Sequence, residues 1–145
     1  RLANGVPEAR ALPVAWAAET EKQFAPFLAA ARERHARGVL TETELVVALL
    51  TDRTDDLVAS LAVLGGLAVP TVLDMVASQS PRALAALANA AGLSAPFALE
   101  LQIKLGRIAK DQALKPHPDG SYAISDGEMR WQIEMFAEDG DVATR

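Results

Sequence analysis

Between Leu40 and Ala113 the chain is cut into five short apolar segments, each bracketed by its own start and stop residues. So many punctuation marks in so short a stretch leave little room for strands or for one long span. They fit short helices joined by tight turns. Thr41-Glu42-Thr43-Glu44 reads as a capping box opening the first segment, Leu45 to Leu50. Asp52 or Thr54 can cap the second, and Gly65-Gly66 stop it. Val69-Pro70 and Ser80-Pro81 place proline in a first helical turn, where its missing N–H costs nothing. Gly92 ends the fourth segment and Ser94 caps a fifth, longer helix. In that helix Glu100, Lys104, Arg107 and Asp111 form a solvent stripe, and Phe97, Leu101, Leu105 and Ile108 an apolar row.

The flanks are less regular. Residues 1–13 contain Gly5, Pro7 and Pro13 and read as an irregular lead-in. A helix is expected from Val14, with a kink or a fresh start at Pro26. Residues 114–124 form a loop, with Tyr122 to Ile124 as a candidate extended piece. Ser125 and Glu128 make a second capping box before a last helix that runs to about Glu138. The tail after Gly140 is expected to fray.

Helix 41–50 is apolar on every side, so it is expected to be central and buried. Gly65 and Gly92 close two apolar helices at similar points of two helical hairpins. The predicted fold class is all-α: a compact bundle of six or seven short helices, with HEAT-like stacked hairpins as the other arrangement. One domain spans residues 1–145. The first residue is Arg1 rather than Met, so a fragment of a longer chain is expected.

Charge and composition exclude several functions. The net charge is −5, without the basic footprint of a nucleic-acid binder. The helix after Asp52 also carries no basic or amide side chains for reading bases. The uncharged run Leu57 to Leu73 is broken by Gly65-Gly66 and Pro70, too early for a membrane span. Cysteine is absent, which fits a cytoplasmic protein and removes disulfides and thiolate metal sites.

Little in the chain is chemically reactive. His35 lies among arginines and His117 between prolines, neither with a second ligand at helical spacing. No metal and no cofactor is expected. The best-placed hydroxyls, Thr41, Ser80, Ser94 and Ser125, are explained as caps. No catalytic residue is assigned. Arg32, Arg34 and Arg37 are the one basic cluster, a candidate patch for an anion or an acidic partner. They also complement a helix C-terminus.

The last helix carries the strongest candidate for contact. At about 100° per residue, Met129, Ile133 and Phe136 share one face. Trp131 and Met135 lie nearly opposite. Such a helix is either sandwiched between layers or offers its second face to a partner.

An ordered pattern runs from Arg37 to Ser94. Gly38-Val39-Leu40-Thr41 leads into Leu45 to Leu50. Asp55-Asp56-Leu57 precedes Leu61 to Leu64. Pro70, Val72 and Val76 are followed by Ala86-Leu87 and Ala91-Gly92-Leu93. This stretch resembles an uncharacterised bacterial family known as domain of unknown function 2336, found chiefly in alphaproteobacteria. The resemblance implies a bacterial cytoplasmic protein and brings no site residues with it. The function expected from the residues is a non-catalytic interaction or regulatory module. Its partner is another protein or a second copy of the chain. The alternative is a small-molecule sensor or enzyme with a pocket between helices.

Overall fold

In the computed structural model residues 13–140 are described, with side-chain environments for residues 19–137. Residues 1–12 of the expected lead-in and the tail after Gly140 lie outside the described residues, and Pro13, expected in the lead-in, opens the first helix. Among the described residues seven helices follow one another: α1 (Pro13–Ala36), α2 (Glu42–Leu50), α3 (Thr54–Gly65), α4 (Val69–Ala77), α5 (Pro81–Ala90), α6 (Ala95–Lys104) and α7 (Asp126–Gly140). There is no strand among the described residues. Helix α1 runs as one element with Pro26 inside it.

The first six helices form three pairs built on one local plan. Within each pair a glycine adopts a left-handed backbone: Gly38 (φ 74°), Gly66 (φ 66°) and Gly92 (φ 77°). The amide after each glycine bonds back over the helix end: Val39 to the Arg34 carbonyl, Leu67 to Ala62, Leu93 to Ala88. That is the Schellman stop, which an L side chain would strain. The glycine that stops α3 is therefore Gly66; Gly65 is still helical. The later two pairs repeat the residues too, as Gly66-Leu67-Ala68-Val69-Pro70 and Gly92-Leu93-Ser94-Ala95-Pro96.

The turns that leave each pair use a different residue in the same backbone region: Asp52 (φ 58°), Gln79 (φ 54°) and Arg107 (φ 57°). The third of these ends α6 at Lys104, so the expected long fifth helix is short. Two contacts explain the early stop. The buried Gln102 side chain donates to the Leu114 carbonyl and accepts from the Leu114 amide, folding the next segment back onto α6. Gly106 lies so close to the Gln102 carbonyl that a Cβ there would approach it to 2.9 Å.

The hairpins repeat, but the second helices do not line up behind one another. Helices α1, α3, α5 and α7 form a row in which each packs on the next. Helix α4 packs on α1, α3, α5 and α7, whereas α2 packs on α3 and α6. The result is a bundle centred on α3 and α5. Residues 83–88 of α5 are all buried, as are residues 57–62 of α3. Helix α2 corrects the expectation that it is the buried centre. Leu45, Ala48 and Leu49 are buried, but Val47 is 45% and Leu50 60% exposed. Its main packing is on α3 and α6, which leaves Val47 and Leu50 facing solvent.

Two glutamates tie the pairs together. Glu21 of α1 accepts from the Val69 amide at the start of α4. Glu42 of α2 accepts from both the amide and the hydroxyl of Ser94 at the start of α6, at 2.8 and 2.7 Å. Each carboxylate meets the positive end of a helix. Among the described residues no single helix is long and apolar enough to cross a membrane. Helices α3 and α4 reach that length and apolarity only together, across a bend of 114°.

Candidate interaction surface

Helix α7 starts where the sequence places it. The Glu128 amide donates to the Ser125 hydroxyl at 3.1 Å. The Glu128 carboxylate does not reach back; it accepts from the buried Gln132 side chain one turn on. Half of the capping box is therefore formed.

The two faces of α7 differ in burial. Met129 is 2% exposed, and Ile133 and Phe136 are partly buried against the core. That face packs on α4 and α5. Trp131 is 55% exposed and Met135 37%. Of the two arrangements open to a two-striped helix, α7 has the one with a solvent-facing second stripe. Arg130 and Glu134 are also exposed beside it.

A cleft of about 350 Å³ follows the seam between α5 and α7. Ala86, Asn89 and Ala90 line it from α5, and Met129, Arg130 and Ile133 from α7. Its polar side chains, Asn89, Arg130 and the neighbouring Asp126, are exposed to solvent. None is held in the buried, converging geometry that acid–base chemistry requires.

The arginine cluster is only partly assembled. Arg32 and Arg37 are exposed and Arg34 is partly buried. Helix α1 ends at Ala36, so Arg37 lies in the turn after it and not on the helical face with Arg34. The Arg34 Nε is shielded from solvent without a hydrogen-bond partner.

The histidines and the loop have local explanations. His117 heads a turn in which its amide donates to the Ser121 carbonyl and its carbonyl accepts from the Gly120 amide. Asp119 accepts from the Ser121 amide and hydroxyl, which holds its carboxyl below the usual carboxylate range. Both His35 and His117 are exposed. Among the described residues no group of three His, Cys, Asp or Glu could hold a metal ion. Tyr122 donates to the Leu93 carbonyl at 2.7 Å. Burial, with the Glu42 charge nearby, pushes its phenol well above the ordinary tyrosine value.

Three further large apolar side chains are exposed that the sequence does not mark. Val47 and Leu50 on α2, with Val39 ahead of it at 41% exposure, face solvent. No sequence signal could have separated them from Leu45 and Leu49, because the helix has apolar residues all round.

The capped hairpins of the described residues pack into a compact all-α fold. The chain belongs to a family of uncharacterised proteins conserved in bacteria, domain of unknown function 2336, whose model matches residues 2–118. The match extends well beyond the stretch 37–94 and stops before α7. No curated protein and no solved structure matches the chain.

Proposed function

We propose that this chain is a non-catalytic interaction module that works in the bacterial cytoplasm, and that the Trp131–Met135 face of α7 is its contact surface for another protein. The observation that carries this is the 55% exposure of Trp131 on a helix already anchored by its opposite face. Large aromatics left in solvent beside methionine are favoured at protein interfaces and often dominate their energetics. The net charge of −5 supports a protein partner over a nucleic acid. The absence of cysteine fits the cytoplasm.

The test is a photo-crosslinking amino acid placed at position 131 or 135 in bacterial cells, with position 104 as a polar control. A discrete protein adduct at 131 and 135, absent at 104, is the expected result. Trp131→Ala should abolish the adduct formed from position 135 while moving the thermal midpoint by no more than a few degrees. A chain that forms no adduct from either position overturns the assignment.

A further inference from the structure

We propose that the cleft between α5 and α7 binds a small zwitterion with an apolar side chain, the chemistry of a free aliphatic amino acid. The site lies on the α5 side of α7 and does not depend on the role given to Trp131.

The walls of the cleft are fixed. The packing of α7 on α5 is among the most extensive helix contacts of the described residues, and α7 also packs on α4. Met129 and Gln132 of α7 are buried. The hollow between the helices comes from residue size. Helix α5 lines it with Ala86 and, one turn on, Ala90. A single methyl group at each position leaves open the space that a larger side chain fills. Met129 and Ile133 form the facing wall. The volume of about 350 Å³ suits a molecule of amino-acid size. It lies near the low end of small-molecule clefts, roughly 300–1,000 Å³.

The polar groups are few, and the two charges are of opposite sign. Asp126, Met129, Arg130 and Ile133 follow one another at i, i+3, i+4 and i+7. One stripe of α7 therefore brings an acid, a base and two apolar side chains to the same wall. Asp126 and Arg130 have the spacing of a helical ion pair. They do not form one. Among the described residues neither is in an ion pair, and the Asn89 side chain across the cleft makes no hydrogen bond.

A ligand that carries an ammonium and a carboxylate on one carbon satisfies all three. Its ammonium donates to Asp126, and its carboxylate accepts from the Arg130 guanidinium and the Asn89 amide. Its side chain covers the two alanines and Ile133. A plain carboxylic acid sets an anion against Asp126, and a plain amine sets a cation against Arg130. A peptide holds its two terminal charges too far apart. A charged amino-acid side chain would lie on the apolar wall unpaired.

Isothermal titration of the full chain with L-leucine is the test, with saturable binding in the millimolar range or below as the expected result. Isocaproate lacks the ammonium and isoamylamine lacks the carboxylate. Each should bind about ten-fold more weakly than leucine, the scale of one charge-assisted hydrogen bond. Asp126→Asn and Arg130→Gln should weaken leucine binding by a similar factor while leaving the thermal midpoint in place, since both side chains are exposed. Ala90→Leu fills the cleft and should abolish binding. A chain that shows no heat with millimolar leucine overturns the inference. So does isocaproate or isoamylamine binding as tightly as leucine, or a folded Asp126→Asn or Arg130→Gln variant that keeps full affinity.

Discussion

Helices α2 and α5 are of nearly equal length, nine and ten residues. Helix α2 has the larger apolar side chains, Leu45 to Leu50 with one alanine, whereas α5 is half alanine. Yet α5 is enclosed by α3, α4, α6 and α7, whereas the main packing of α2 is on α3 and α6. Size explains the inversion. Alanine lets neighbouring backbones approach on every side, so an alanine helix can be surrounded at interior packing density. A helix covered with leucine and valine is wider and sits at the edge, burying one stripe. Apolarity measures how much a helix gains from contact. Side-chain volume decides how many neighbours can reach it.

The largest effect should fall on α5. Leu87 is fully buried among those neighbours. Leu87→Ala is expected to cost about 2–5 kcal/mol, because the crowded site cannot collapse around the lost atoms. Urea unfolding with an unchanged slope measures this directly. A cost below about 1 kcal/mol would mean that α5 is not the centre of the bundle.

The N-terminus of α2 is held by polar contacts rather than by burial, through Glu42 on Ser94. Tyr122 lies beside this latch with its phenol kept protonated by burial and by the Glu42 charge. The folded pKa is raised above the unfolded value of about 10. Stability from this group is therefore full below about pH 10 and is lost as the pH rises further, since the unfolded phenol ionises first. Tyr122→Phe should cost about 1 kcal/mol at neutral pH for its bond to the Leu93 carbonyl. It should also be less sensitive to base than wild type above about pH 10. Parallel loss of stability in both proteins would remove Tyr122 from the latch.

The helix starts were legible because they depend on neighbouring residues alone. Thr41, Ser80, Ser94 and Ser125 all accept the amide three residues on. The stops were harder. Gly92 marks itself, since its left-handed backbone favours glycine. Asp52, Gln79 and Arg107 adopt the same backbone region without that signal. The end of α6 depends on Gln102 gripping Leu114, a contact that no spacing announces. For the candidate surface, the opposition of Trp131 to Met129 followed from helical period. Which of the two faced solvent depended on α4 and α5, and so on the assembled fold. The exposed side of α2 is hidden from the sequence for the same reason: periodicity cannot rank helices that have apolar residues all round.

The smallest effect sharpens that point within one helix. Leu49 and Leu50 are adjacent and identical in type, but Leu49 is 7% exposed and Leu50 60%. A leucine in the core owes its contribution to water removed and atoms touched, and Leu50 has little of either. Leu50→Ala is expected to change stability by no more than about 0.5 kcal/mol, because alanine's helix propensity offsets what little contact is lost. Thermal melts at low and high protein concentration are the measurement. A loss near 2 kcal/mol at both concentrations would show that α2 is covered within the monomer and would erase its contrast with α5. A loss that appears only at high concentration would show instead that a second copy covers Leu50. In that case the outer stripe of α2 would join the Trp131–Met135 face as a proposed contact surface.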